Sequence, residues 1–358
     1  MAAKPLDRND ARDFFRDIIL MAPMAMGGNL PYRRLCREYG AVRTCSEMVL
    51  SEKLVKGGER PLIRHHPSET DFGIQIAGKR PEVMAEAACI AVEHGAAFVD
   101  LNFGCPIDIV VRKGAGAALL KRPSKLAEVV AAVRAAVDVP LSVKLRLGFS
   151  DDKLNVVDLA CRVQDAGADA VAIHGRTRNQ RYSRSARWDL IDAAQQAVEI
   201  PVIGNGDLLT PWDLQKRREE TCVRSFLVAR GALKKPWIFQ EFAEGRAIYP
   251  DPAERWAIMR RYFDLACEHF GDDEKGLARV QRFFLWHLKF WHRWYPWQEA
   301  EHTALWPDSL MQARTPGVTG ADDTALLASS DEADHLLIWQ RVLSGGDAAA
   351  IEGAVDAS

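Results

Sequence analysis

The chain has 358 residues, 48% apolar and 27% charged, with a formal net charge of −2. That balance is ordinary for a soluble globular protein and excludes a mainly disordered or collagen-like chain; at roughly 100–200 residues per domain it leaves one large barrel or two domains. No apolar run reaches the ~18 residues of a membrane span, and the charged start MAAKPLDRND lacks the apolar stretch of a signal peptide, so a cytoplasmic protein is expected. Short apolar runs of the kind that form strands buried on both faces follow in chain order. They cover 18–24, 41–48, 72–77, 97–102, 141–145, 170–174, 202–205 and 225–229. Helical patterns separate most of them, at 81–94, 124–137, 155–166 and 188–198, and Gly95 and Gly167 stand where helices stop. Eight β–α alternations predict an α/β fold, a (β/α)8 TIM barrel over residues 1–249. A doubly wound sheet also alternates, but it opens on a strand–GxGxxG–helix unit, and Gly114-Ala115-Gly116 is not one.

After Tyr249-Pro250-Asp251-Pro252 the strand signal stops. Residues 253–270 and 278–295 read as helices, and 321–343 as one or two more, so a smaller C-terminal helical domain is expected over 250–344. The Gly/Ala/Asp/Ser tail at 345–358 reads as disordered. Residues 298–358 hold eleven Asp/Glu and two Arg, a net −9, which leaves +7 on residues 1–297. A basic body is compatible with an RNA partner. Seven scattered cysteines, with no CxxC pair or Cys/His cluster, imply neither a disulfide framework nor a metal site.

In a barrel the functional groups lie where strands end. Here those ends carry Pro23 and Met24, Glu47, Gln75, Asn102 with Cys105, Lys144 with Arg146, His174, Asn205-Gly206-Asp207 and Ala229-Arg230-Gly231. Small residues after the last two strands let backbone N–H groups approach a phosphate. Either glycine loop alone is equally well a tight turn; the two together favour a phosphate-bearing cofactor. Lys144 and His174 interrupt apolar runs on adjacent strands. A Lys there can stabilise charge developing on a ring carbonyl, and His174 could bond the same heterocycle. Cys105 opens a glycine-containing loop, 105–118, that could close over the mouth. With a reference pKa of ~8.5, a thiol there can donate a proton as well as attack.

The run Val99-Asp100-Leu101-Asn102-Phe103-Gly104-Cys105-Pro106, followed by Val110, Gly114, Gly116 and Leu119, resembles the signature of the tRNA-dihydrouridine synthases. So do Met21-Ala22-Pro23-Met24, Gln75, Ser142 to Arg146, His174 to Arg178, Gly204 to Asp207 and Ala229 to Ala232, in family order over residues 18–245. Gly28 to Arg34, Cys105-Pro106-Ile107-Asp108 and Lys235 to Phe239 resemble the eukaryotic-type branch that acts in the variable loop; the zinc-binding modules of that branch are not found in these residues. The commoner family opening, Gly-Val-Thr-Asp, is replaced by Met26-Gly27-Gly28-Asn29.

The resemblance implies FMN at the barrel mouth, NADPH as reductant and tRNA as substrate, with no membrane or metal involved. Pro23, Met24, Gln75, Lys144 and His174 would then line the flavin, and Asn205, Gly206, Asp207, Ala229, Arg230 and Gly231 would hold its phosphate. Uridine C5=C6 would be reduced by hydride at C6 and a proton from Cys105 at C5. Asn102 would bond the uracil, with Arg178 as a further substrate contact. On a helix, Arg282, Trp286, Lys289 and Arg293 share one face suited to RNA, while Val280, Phe283, His287, Phe290, Trp291 and Trp294 form another stripe, facing the core. A second basic group, Arg176, Arg178, Arg181, Arg184 and Arg187, follows the sixth run. The rival readings are a flavin barrel reductase of a small molecule and a non-catalytic RNA-binding protein.

Overall fold

The computed structural model describes residues 7–305 and 323–345. Among the described residues nine parallel strands form one sheet: β1 (Ile19–Met21), β2 (Thr44–Cys45), β3 (Val49–Leu50), β4 (Phe72–Ala77), β5 (Phe98–Asn102), β6 (Leu141–Arg146), β7 (Ala170–His174), β8 (Val202–Asn205) and β9 (Ser225–Val228). Their order is β1-β9-β8-β7-β6-β5-β4-β2, with β3 also on β4. A parallel bridge between Leu20 and Arg43 brings β1 back to the second strand and closes the barrel. The expected (β/α)8 architecture is the one found.

The helices, in chain order, are α1 (Arg8–Asp13), α2 (Leu30–Glu38), α3 (Ser51–Val55), α4 (Pro81–Glu93), α5 (Asp108–Arg112), α6 (Pro123–Ala136), α7 (Val156–Asp165) and α8 (Trp188–Ala197). There follow α9 (Pro211–Glu220), α10 (Arg230–Lys234), α11 (Ile238–Glu244), α12 (Pro252–Phe270), α13 (Glu274–Trp291), α14 (Glu299–Ala304), α15 (Asp323–Ala328) and α16 (Glu332–Leu343). Strands β4, β5, β8 and β9 are buried at every position, as apolar runs predict for a sheet covered on both faces.

Three expectations need correction. The run 41–48 is not one strand but β2, a break at Ser46 and Glu47, and β3. At the break, Ser46 Oγ accepts from the Gln75 N–H at 3.0 Å and donates to the Glu47 carbonyl at 2.8 Å, so a side chain replaces the ladder there. The segment 105–118 is not an open loop: it holds α5 and the start of a 3-10 turn (Gly116–Lys121), and Ala117 N–H bonds the Cys105 carbonyl at 3.1 Å. The helix placed at 278–295 is α13, which starts earlier because Asp273 caps it by accepting from Gly276 N–H.

The helix expected at 253–270 is α12, begun by a reciprocal Asp251/Glu254 cap. The helices placed at 321–343 are α15 and α16, while 306–322 and most of the tail read as disordered, 346–358, lie outside the described residues. Among the described residues the C-terminal helices share the barrel's core. Tyr262, Val280, Phe284 and Trp291 belong to the same apolar cluster as the barrel strands, and Tyr32 of α2 stacks on His287 of α13 with ring centroids 4.0 Å apart. This packing fixes α13 beside the barrel mouth. Among the described residues no helix is long and apolar enough to cross a membrane.

Candidate active site

A cavity of about 590 Å3 opens at the carboxyl ends of the strands, within the roughly 300–1,000 Å3 of small-molecule sites. Of the residues expected there, Pro23, Met24, Gln75, Asn102, Cys105 and Lys144 line it. His174, Asn205, Gly206, Asp207, Ala229, Arg230 and Gly231 complete it, and Arg293 reaches it from beyond α13. Arg178, Arg282 and Lys289 do not line it.

The wall under Cys105 is a chain of hydrogen bonds across three strands. Asp100 lies opposite Gln75 of β4 and Ser142 of β6 in the sheet register. Its carboxylate accepts from Ser142 Oγ and from Gln75 Nε2, each at 2.5 Å. Gln75 Oε1 accepts from Asn102 Nδ2 at 2.7 Å, and Asn102 Oδ1 accepts from the N–H groups of Gly104 and Cys105 at 3.1 and 2.8 Å. Burial pushes the Cys105 thiol above its usual range, against a lesser pull from Ile107 N–H, Arg146 and Lys144. The group is therefore a thiol at neutral pH, an acid rather than a thiolate nucleophile. Arg146 Nε donates to the Gly104 carbonyl at 2.8 Å and its Nη1 to the Thr177 carbonyl at 3.0 Å, tying the Cys105 segment to the loop after β7.

Next to this chain of hydrogen bonds, with Lys144 beside Asn102 in the sheet register, the lining is cationic. Burial, then the nearby Arg146, pull Lys144 down to about 8, and its Nζ reaches Asn205 Oδ1 at 3.5 Å. His174 is held well below its usual range, first by burial and then by Arg146, Lys144, Arg176 and Arg230. It is neutral at pH 7. Arg176 Nη1 lies 3.4 Å from His174 Nε2; a guanidinium only donates, so Nε2 accepts and Nδ1 carries the proton. Asp207, at φ 53°, accepts from Arg176 Nη2 at 2.9 and 2.7 Å, from Ala186 N–H at 2.8 Å and from Arg230 Nη2 at 3.2 Å. Asp207 thus aims Arg230 instead of meeting an anion itself. The Arg230 guanidinium also stacks 4.1 Å from the centre of the Tyr182 ring.

At two positions in the loops after β8 and β9 there is no room for a side chain. A Cβ at Gly206 would lie 2.5 Å from Ala186 Cβ, and one at Gly231 would lie 2.3 Å from the Leu208 carbonyl oxygen. Gly231 lies in the first turn of α10, where helix N–H groups lack intrahelical acceptors. Bare backbone, Arg230 and Lys144 form a donor set that fits a phosphate-bearing ring cofactor such as FMN. The one carboxylate in the lining, Asp207, is already engaged.

On α13, Arg282 and Lys289 are exposed, and Arg293 follows just past its end. Trp286 and Phe290 line the cavity, so the predicted basic face is the one turned to the mouth. Of the predicted apolar stripe, Val280, Phe283, His287 and Trp291 are buried; Phe290 instead joins the cavity wall, and Trp294 packs edge-on against Trp237 at 5.8 Å. The arginines after β7 are not a free basic patch. Arg176 pairs with Asp207, Arg178 and Arg181 with Asp108, Arg184 with Asp151 and Arg187 with Asp189. Sequence reasoning missed Asp100 and Ser142 as site supports, although both are polar residues inside apolar runs. It also missed Tyr182, for which no local signal exists.

Residues 20–317 match the family model described as Dihydrouridine synthase (Dus). The chain is 38% identical over 337 residues to the tRNA-dihydrouridine(47) synthase (NAD(P)(+))-like protein of Oryza sativa subsp. japonica, covering 92% of this chain and 49% of that one. Against the proteins of the same name from Xenopus tropicalis and Homo sapiens it is 37% identical, covering 92% of this chain in each case and 52% and 50% of theirs. The chain spans about half the length of these curated relatives.

Proposed function

The chain belongs to the dihydrouridine synthase family, and from that premise we propose that it reduces the C5=C6 bond of a uridine in tRNA, in the cytoplasm, with NADPH as reductant. The relatives' names point to position 47. FMN bound in the cavity would supply hydride for C6, its organic chemistry being the cofactor's own. Pro23, Met24, Gln75, Lys144 and His174 would hold its ring, and Asn205, Gly206, Ala229, Arg230 and Gly231 its phosphate, with Asp207 steadying Arg230.

The observation that carries the reading is Cys105, a thiol kept protonated by burial, in a cavity that Lys144 and His174 also line. Cys105 delivers its proton to C5 as general acid. Lys144, as an ammonium, stabilises the negative charge that builds toward the C4 carbonyl. The second N–H of Asn102 Nδ2 remains for the uracil, since Gln75 takes only one. Extruding the base costs roughly a few kcal/mol. Arg282, Lys289 and Arg293, on or just past α13, and Arg178, in the loop after β7, would offset that cost through phosphate contacts.

The test uses tRNA from cells that lack dihydrouridine, incubated with the protein, FMN and NADPH, then digested and mapped for uridines that gain two hydrogens. A gain at one position, lost in Cys105→Ala, is the expected result. Bound flavin and NADPH oxidation without any gain would replace this reading with a small-molecule reductase. Neither flavin nor gain would leave a non-catalytic RNA-binding protein.

A further inference from the structure

Ionised Asp100 can only accept hydrogen bonds, so both its neighbours must donate to it. Ser142 does so with its hydroxyl and Gln75 with its amide nitrogen. Gln75 then has only its oxygen left to face Asn102, which must answer with its own amide nitrogen. That leaves the Asn102 oxygen turned to Gly104 and Cys105, whose backbone N–H groups it accepts. If the direction were reversed, the Asn102 amide nitrogen would confront two N–H donors, and the Cys105 backbone would lose its anchor. Glutamine and asparagine amides have no directional preference of their own, since each end can bond. The single carboxylate at the start of the chain supplies the direction.

We propose that Asp100 is a positioning residue for Cys105, setting the orientation of the Gln75 and Asn102 amides and thereby fixing the Cys105 backbone at the cavity wall. Asp100 is almost fully buried, opposite Gln75 and Ser142 in the barrel register, and does not line the cavity, so it acts only through the residues above it. Its carboxyl is raised to about 6 by burial, against the pull of Gln75, Ser142 and Lys144, and it is ionised at neutral pH. The same two amides would meet flavin and uracil in the proposed reaction. One buried charge therefore orients both the cofactor side and the acid side of the site.

The experiment reads Cys105 itself. The protein is treated with iodoacetamide at pH 8, and the alkylation rate of each cysteine is followed by peptide mass spectrometry. In Asp100→Ala and in Asn102→Ala, the Cys105 peptide reacts about fivefold faster than in the unaltered chain, the factor that corresponds to one hydrogen bond's net worth. Asp100→Asn, which bonds in either direction, gives a smaller rise and carries the test if the alanine variant does not fold. The double variant reacts no faster than the faster single one, because both cut the same chain. Rates that multiply in the double variant, or singles that match the unaltered chain, would overturn the proposal. So would faster alkylation of the buried Cys36 and Cys45 alongside Cys105, since that would mean general loosening of the barrel. A second arm rests on the uridine-reductase reading: Asp100→Asn slows dihydrouridine formation more than it slows NADPH oxidation, because only the former needs the Cys105 proton. A chain whose Cys105 responds as described yet makes no dihydrouridine keeps the positioning role and loses the reaction assigned to it.

Discussion

The Asp207→Asn substitution isolates the charge that organises the phosphate side of the site. Asp207 has φ 53°, in the left-handed region, and asparagine tolerates that region as well as aspartate does. The backbone is therefore undisturbed, and the change removes charge alone. Arg176 has no exposed surface and Asp207 is 8% exposed, so the pair is fully inside the protein. Breaking a buried pair by neutralising one partner typically costs 3–5 kcal/mol, because the other charge is left uncompensated. Asparagine retains one acceptor oxygen, which places the expected loss near the lower end, about 3 kcal/mol. That is a substantial part of the ~5–15 kcal/mol by which domains are stable. In urea the midpoint should fall by about 1 M, at a slope of ~3 kcal/mol per M. Arg230 loses its 3.2 Å tether at the same time, so FMN affinity, read by flavin fluorescence, should drop roughly tenfold, as for a hydrogen bond to a charged group. A stability loss under about 1 kcal/mol would refute the reasoning. It would mean that Arg176 is satisfied by neutral acceptors such as the Arg184 carbonyl, which its Nε already meets at 2.5 Å.

Three further outcomes follow from the same geometry. Gly231→Ala drives a Cβ to 2.3 Å from the Leu208 carbonyl oxygen; it should cost about 1–3 kcal/mol of stability and lower flavin content on purification, and normal content would contradict the backbone-cradle reading. Lys144 is lowered to about 8 by burial, so the rate of uridine reduction should fall as pH rises through 8 and the ammonium is lost. Lys144→Arg should shift that fall to higher pH, and an unchanged profile would take Lys144 out of the charge-stabilising role. Replacing Arg282, Lys289 and Arg293 together with alanine should flatten the dependence of log K for tRNA on log salt by about 2, at ~0.7 per phosphate contact; an unaltered slope would put the RNA elsewhere.

The barrel was legible because strands buried on both faces become apolar runs, and nothing at the level of tertiary contact is needed to see them. The second run failed as a single strand for a reason that periodicity does not carry. Ser46 Oγ replaces a backbone ladder partner of Gln75, and a hydroxyl's choice of partner depends on the neighbouring strand. The site residues at strand ends were legible from position alone. Their roles were less so. Asp207 follows a glycine as a phosphate-loop residue would, yet its partners Arg176 and Arg230 come from other loops. The five arginines after β7 look like one basic patch in sequence. Asp108 and Asp151, which pair with three of them, are distant in the chain. On α13 the helical period separated the two faces well, and only Phe290, at their border, was assigned to the wrong one.

The mouth of the barrel is charged in one direction, and that imbalance has a thermodynamic consequence. Lys144, Arg146, His174 and Arg230 are each pulled down first by burial, and each is further affected by at least one neighbouring cation. Of these, Lys144 and His174 are the groups that lose protons near neutral pH, a loss that a bound anion would relieve. Binding of a phosphate-bearing ligand should therefore raise Lys144 and His174 and take up protons there. At pH 8 Lys144, at about 8, is close to half protonated, so its uptake alone should reach about half a proton when an anion enters. Calorimetric titration of FMN in two buffers of different ionisation enthalpy measures this directly. The ligand should also stabilise the fold, by about 2.7 kcal/mol at a hundredfold excess over Kd. Stabilisation with zero proton uptake would mean that the phosphate is held by backbone N–H groups and Arg230 alone, and that Lys144 does not sense it. Uptake well above half a proton would bring His174 into the coupling, because no other neutral imidazole lines the cavity among the described residues.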